Sequence, residues 1–152
     1  MPNISWDAAE YKENFSFVPA YGEAVIGLIT KQPGSRVIDL GCGNGSLTAH
    51  LADRGYLATG IDDSEEMLRL AQKEHPGLPF IRGNAVRFRL DEKADVIFSN
   101  AVFHWIDEKE QQAMLSNLYG NLRPGGELVC EFGGSGCAEA VHGTLEQCFS
   151  ER

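Results

Sequence analysis

Asp39 stands two residues ahead of the alternating glycines Gly41, Gly43 and Gly45, in the run Val37-Ile38-Asp39-Leu40-Gly41-Cys42-Gly43-Asn44-Gly45. A carboxylate beside a glycine turn that opens a helix suits the holding of a small, nucleotide-like ligand. Glycine lets the ligand approach the backbone, and free N–H groups with the helix dipole polarise the site. Asp62 closes Gly60-Ile61-Asp62, where a carboxylate can accept hydrogen bonds from two ribose hydroxyls. Asn84-Ala85 follows Gly83, and Asn100-Ala101 follows Ser99. His104-Trp105 is a candidate substrate-pocket pair, although His104 reads equally as a packed, hydrogen-bonded histidine. No residue is assigned as catalytic, and His50, His75 and His142 read as surface or packing residues.

The cysteines are Cys42, Cys130, Cys137 and Cys148, with no C-x-x-C pair. Cys130, Cys137, His142 and Cys148 match none of the zinc spacings, so no metal is expected. Cys42, inside the glycine loop, reads as a small packed residue rather than a reactive thiol. Reduced thiols suit a cytoplasmic protein.

The elements that must position these groups alternate between strand and helix. Helical patterns run over 6–14 and 18–30, and Pro33-Gly34 then breaks the chain before a strand over 36–40. A helix with Leu47 and Leu51 on one side follows the glycine loop and stops at Gly55. A second strand covers 57–61. The helix after it carries Met67, Leu70 and Ala71 on one face, with Asp63 and Glu66 spaced as a capping box. Pro76-Gly77 ends it, and strands follow over 79–82 and 95–99. Asp107 and Glu110 cap a helix in which Met114, Leu118 and Leu122 recur every fourth residue. Pro124-Gly125-Gly126 is a turn before a fifth strand over 127–132. Such alternation implies a doubly wound parallel sheet of the α/β class. Ligands of such sheets bind beyond the carboxyl ends of the strands, where Asp39, Asp62, Asn84 and Asn100 fall.

The chain has 152 residues, 43% of them apolar, and a formal net charge of −9. That length suits one domain with a sizeable core. The negative surface argues against a nucleic-acid partner, and the basic trio Arg82, Arg87 and Arg89 reads as a solvated face. No apolar run is long enough to span a membrane, and Met1-Pro2-Asn3-Ile4-Ser5-Trp6 lacks the pattern of a signal peptide.

Asp39-x-Gly41-x-Gly43-x-Gly45 resembles the first motif of class I S-adenosylmethionine-dependent methyltransferases. Gly60-Ile61-Asp62-Asp63-Ser64 with Met67-Leu68 resembles their second, Val96 to Ala101 their fourth strand, and Leu122-Arg123-Pro124-Gly125-Gly126 the turn before their fifth. His104-Trp105 resembles the members of trans-aconitate type and their small-acid relatives. The resemblance covers nearly the whole chain. It implies a Rossmann-like, mostly parallel sheet in the order 3-2-1-4-5, with S-adenosylmethionine as cofactor and a small molecule as acceptor, a carboxylic acid being the class favoured. Under it, Asp39 orients the loop and approaches the cofactor's amino group through water or backbone; Gly41, the Cys42 backbone and Gly43 contact the methionine part. Asp62, with Asp63 beside it, holds the ribose; Asn84 and Ala85 face the adenine; Asn100 receives the ammonium through its backbone carbonyl. Asn84 departs from the Asp more usual in the family. Tyr11 and Phe17 are placed in a lid formed by helical residues 1–32, or else pack those helices on the sheet.

Family members continue past the fifth strand to an antiparallel hairpin that this chain lacks. The single domain of 1–152 is therefore expected to be truncated after Arg152, or to pair its exposed fifth strand with another chain as a homodimer. Two other readings stay open. In a nicotinamide-dependent oxidoreductase, glycine or alanine would stand where Ser46 does, and Asp39 would have no use. A non-catalytic cofactor-binding fragment is the other.

Overall fold

The computed structural model describes residues 18–137. Helix α1 (Val18–Ile26) leads to β1 (Arg36–Leu40), α2 (Ser46–Asp53), β2 (Leu57–Asp62), α3 (Glu65–Glu74) and β3 (Phe80–Arg82). Then come β4 (Ala94–Asn100), a 3-10 turn over Phe103–Trp105, α4 (Glu108–Asn121) and β5 (Leu122–Glu131). The strands form one sheet in the order β3-β2-β1-β4-β5, every neighbouring pair parallel. This is the doubly wound α/β arrangement expected.

The middle strands read as continuous apolar runs because helices cover both of their faces. Ile38, Leu40, Ile61 and Ile97 pack with Met114 and Leu118 of α4 on one face. Val37, Ala58, Val96 and Phe98 pack with Ile26 of α1 and Leu51 of α2 on the other. Gly60 of β2 fits this packing by lacking a side chain: a Cβ there would stand 2.6 Å from the Phe80 ring and 2.8 Å from Cys42 Sγ.

The boundaries differ from expectation at several places. The second N-terminal helix ends at Ile26, and i→i−3 bonds from Gly27, Leu28 and Ile29 tighten its exit. Ser64, not Asp63, caps α3, its hydroxyl accepting from the Met67 N–H at 3.3 Å. Asp107 caps α4 as expected, by accepting from the Lys109 N–H. Leu122 leaves α4 and pairs with Ala94; the chain then bulges before Glu127 pairs with Val96. The Pro124-Gly125-Gly126 turn is thus a bulge within a longer β5. Among the described residues β3 and β5 are the sheet edges. The pattern over 6–14, Tyr11, Phe17, His142 and Cys148 lie outside the described residues.

Candidate functional site

The chain winds outward from β1 through β2 to β3, then crosses back to β4 on the other side of β1. The carboxyl ends of β1 and β4 therefore flank a switch point, where the connecting loops part and leave a crevice. Gly41 lies in it with φ +75°, and a Cβ there would come 2.2 Å from Val102 Cγ2. Both the backbone angle and the contact call for glycine.

Asp39 is 1% exposed at the end of β1 and accepts a hydrogen bond from the Thr48 hydroxyl of α2 at 2.6 Å. Burial pushes its pKa up to about 7, against the Thr48 hydrogen bond and with a small further push from the Asp62 charge. Asp62 is tied at both oxygens: one accepts from the Gly43 N–H at 2.9 Å, the other from the Ser64 N–H at 2.8 Å. Burial raises its pKa and these backbone bonds oppose the rise. Asp62 thus fixes the glycine loop and opens α3 at once. Its remaining lone pairs stay available to ribose hydroxyls.

The expectation of free loop N–H groups needs correction. The N–H groups of Gly41 and Cys42 both donate to the Ile61 carbonyl, at 2.7 and 3.1 Å. That of Gly43 goes to Asp62 and that of Gly45 to the Cys42 carbonyl at 2.9 Å. The alternating glycines fold the loop back on the end of β2, which pairs the N–H groups of Gly41, Cys42, Gly43 and Gly45 and leaves that of Asn44 without an acceptor among the described residues. Among the described residues no backbone N–H reaches the carbonyls of Gly41 or Gly43. Asn100, 8% exposed at the end of β4, has a buried side-chain Oδ1 without a partner. The crevice is therefore bordered by acceptors, the Gly41 and Gly43 carbonyls and the Asp62 carboxylate, with the Asp39 carboxyl and the Asn100 amide oxygen buried just beneath; the Cys42 thiol lies 3.9 Å from the Gly43 carbonyl. Such a lining suits a cation bearing hydroxyls and opposes a pyrophosphate.

Asn84 follows β3 as expected, but its amide is occupied. Nδ2 donates to Asp63 Oδ2 at 2.9 Å, and Oδ1 accepts from the Val86 N–H at 3.0 Å. It joins the loops after β2 and β3 rather than offering its oxygen outward. Cys42 is 7% exposed and lies against Gly60; burial holds its thiol protonated. It is a packed residue, as its position in the loop suggested.

Beyond β4, Ala101 turns the chain with φ +58°. Its carbonyl accepts from the Trp105 indole N–H at 3.1 Å. Phe103 points into the core and stacks on Phe132 with centroids 5.3 Å apart. His104 and Trp105 face outward with rings 5.0 Å apart, and His104 Nδ1 accepts from the Gly133 N–H at 3.3 Å. The turn therefore places both at the same end of the sheet as the crevice. Among the described residues no cluster of His, Cys, Asp and Glu could hold a metal, and no helix is long and apolar enough to cross a membrane.

Two residues near the loop were not singled out from the sequence. Thr48 stands in the first turn of α2, and its approach to Asp39 depends on how α2 packs. Asn44 accepts from both the N–H and the hydroxyl of Ser46, at 3.2 and 3.0 Å, in a turn one residue ahead of the Gly45 cap of α2. An Asn just ahead of a helix is a recognised turn signal and points to this role.

Comparison with known proteins bears on this geometry. The model of the family described as "Methyltransferase domain" matches residues 37–126. An uncharacterized methyltransferase of Schizosaccharomyces pombe is 32% identical over 95% of this chain and 58% of its own length. A trans-aconitate 2-methyltransferase of Rhodopseudomonas palustris is 34% identical over 83% of this chain and 49% of its own. The chain thus spans about half the length of the curated relatives it matches. Among solved structures, a TehB-like S-adenosylmethionine-dependent methyltransferase of Corynebacterium glutamicum superposes with a TM-score of 0.72 at 24% identity, over 84% of this chain and 73% of that one. The matched span runs from β1 through the glycine loop to the bulge of β5, and on that ground the chain belongs to the class I S-adenosylmethionine-dependent methyltransferases.

Proposed function

We propose that this chain binds S-adenosylmethionine across the carboxyl ends of β1 to β4 and serves methyl transfer to a small-molecule acceptor. The observation that carries the reading is the acceptor-rich border of the crevice, with the Gly41, Cys42, Gly43 and Gly45 N–H groups paired within the protein and the Asn100 Oδ1 buried without a partner. Gly41, Gly43, the Cys42 backbone and Asn100 hold the methionine end with its ammonium. Asp39 sets the loop from beneath, Asp62 with Asp63 holds the ribose, and Asn84 and Ala85 border the adenine. Gly43 leaves room for that approach, since a Cβ there would meet only Met67 Cε, at 3.5 Å. The lid role of Tyr11 and Phe17 belongs to the same proposal.

S-adenosylmethionine supplies a methyl group already activated on a sulfonium. The residues here need only align the acceptor behind that carbon and keep water out. A carboxylate acceptor needs no base at the transfer step. That suits an end of the sheet where His104 accepts from Gly133 instead of poising a free imidazole. A carboxylic acid is the acceptor class we favour, supported by the trans-aconitate methyltransferases among the relatives. The reading carries with it a cytoplasmic setting and pairing of the β5 edge in a homodimer, which sedimentation would reveal.

Isothermal titration with S-adenosylhomocysteine and with NAD tests the cofactor. Binding of the first without the second is expected; tight NAD binding alone would restore the oxidoreductase. A second reading rests on the chain's spanning about half of its relatives: it binds cofactor without turnover. Methyl transfer to a small acid by this chain would exclude it.

A further inference from the structure

Helix α4 carries Asn117 and Asn121, both on its buried side at 7% and 5% exposed. Asparagine is a poor helix former, and a buried amide is costly unless its groups are bonded. Both are bonded, and to the same segment. Asn117 Nδ2 donates to the Ala85 carbonyl at 3.1 Å, and its Oδ1 accepts from Arg89. Asn121 Oδ1 accepts from the Leu90 N–H at 3.1 Å, while its Nδ2 donates to the Asn117 carbonyl at 2.8 Å and the Phe88 carbonyl at 3.4 Å. The segment after β3 has no strand partner, so these side chains supply the hydrogen bonds that a ladder would.

The peptide between Ala85 and Val86 is clamped at both ends. Asn117 holds its carbonyl, and Asn84 Oδ1 accepts its N–H. The Ala85 N–H, one peptide earlier, has no backbone or side-chain acceptor among the described residues. The carbonyl of that earlier peptide, on Asn84, accepts from the Arg87 and Phe88 N–H groups at 3.0 and 2.9 Å, so the Ala85 N–H lies between two pinned peptides and can read the edge of a purine.

We propose that Asn117, braced by Asn121, is a positioning residue for base recognition: it sets the Ala85 N–H so that the site selects adenine over a 6-oxopurine. The inference rests on the cofactor reading above. Adenine N1 accepts a hydrogen bond, whereas the N1–H of hypoxanthine donates, so a fixed donor pairs with one and opposes the other.

The test compares the affinities of S-adenosylhomocysteine and S-inosylhomocysteine by calorimetry at low temperature, with thermal unfolding measured in parallel. The native protein should prefer the adenine ligand by about tenfold or more, one hydrogen-bond equivalent. In Asn117→Asp, which keeps the shape but loses the donor to Ala85, that ratio should fall below about threefold. A purely structural role would lower both affinities together and leave the ratio intact, which overturns the proposal. Should Asn117→Asp not fold, Asn121→Ser reads the same ratio through the brace, with the same two outcomes. Equal affinity of the native protein for the two ligands also overturns it while leaving the cofactor reading standing. Failure to bind S-adenosylhomocysteine at all removes both.

Discussion

The protonation of Asp39 makes stability depend on pH in a way that one substitution isolates. Its carboxyl is 1% exposed, and burial raises its pKa from 3.8 to about 7. Below about pH 4 the group is neutral whether the chain is folded or not, so its burial carries no charge penalty. Between about pH 4 and 7 the unfolded chain gives up the proton while the folded chain keeps it, and stability falls with rising pH. Above about pH 7 the loss is complete, and a shift of this size corresponds to about 4 kcal/mol. Asp39→Asn keeps the shape and an oxygen for the Thr48 hydroxyl but never titrates. Urea unfolding of both proteins from pH 4 to 8 gives the difference in stability, which cancels the self-repulsion of the remaining acidic surface. The variant should gain on the native protein by about 4 kcal/mol over that range, the gain levelling off above about pH 7. A difference flat with pH would show that Asp39 is ionised throughout and that its burial carries no such penalty.

The same titration governs the ligand. An ammonium bound above the loop favours the ionised form of Asp39 beneath it, so affinity for S-adenosylhomocysteine should fall as pH drops below about 7, by up to about tenfold per unit. Calorimetry in buffers of different ionisation heat should show proton release; none would contradict the link. Asp62→Ala removes the acceptor of the Gly43 and Ser64 N–H groups together with the proposed ribose contact. Loss of two charge-assisted bonds should weaken S-adenosylhomocysteine binding about a hundredfold or more, and unchanged affinity by calorimetry would refute the ribose assignment. Gly41→Ala puts a Cβ against Val102 at φ +75° and should cost about 2 kcal/mol or more in urea unfolding. Phe103→Ala empties a buried site stacked on Phe132 and should cost about 3–5 kcal/mol, read as a lowered Tm.

Much of the fold was legible because each unit carries local signals. The apolar runs at Val37-Ile38 and Val96-Ile97-Phe98, the stop at Gly55 and the cap at Asp107 depend on neighbours in the chain. The alternation they mark gives the doubly wound sheet. Boundaries slipped where two local signals competed. Ser64 took the cap from Asp63 because Asp62 binds its N–H and orients it. The bulge in β5 arises from pairing with β4, which no local pattern encodes.

At the site, the positions were readable and the direction of their hydrogen bonds was not. Glycines at 41, 43 and 45 announce a ligand loop, yet whether their N–H groups face the ligand depends on Ile61 and Asp62, some twenty residues on. Asn84 sits where expected but spends its amide on Asp63 and Val86. Thr48, Asn117 and Asn121 look like ordinary helix residues until packing brings them to Asp39, Ala85 and Phe88.

The central claim is that a cationic adenosyl ligand occupies the crevice between the ends of β1 and β4. Backbone amide NMR of the labelled protein during titration with S-adenosylhomocysteine tests it most directly. Saturable shifts should centre on residues 41–45, 62–64, 84–86 and 100–102. Saturable binding that leaves these four segments unmoved, or shifts there with NAD alone, would contradict the account.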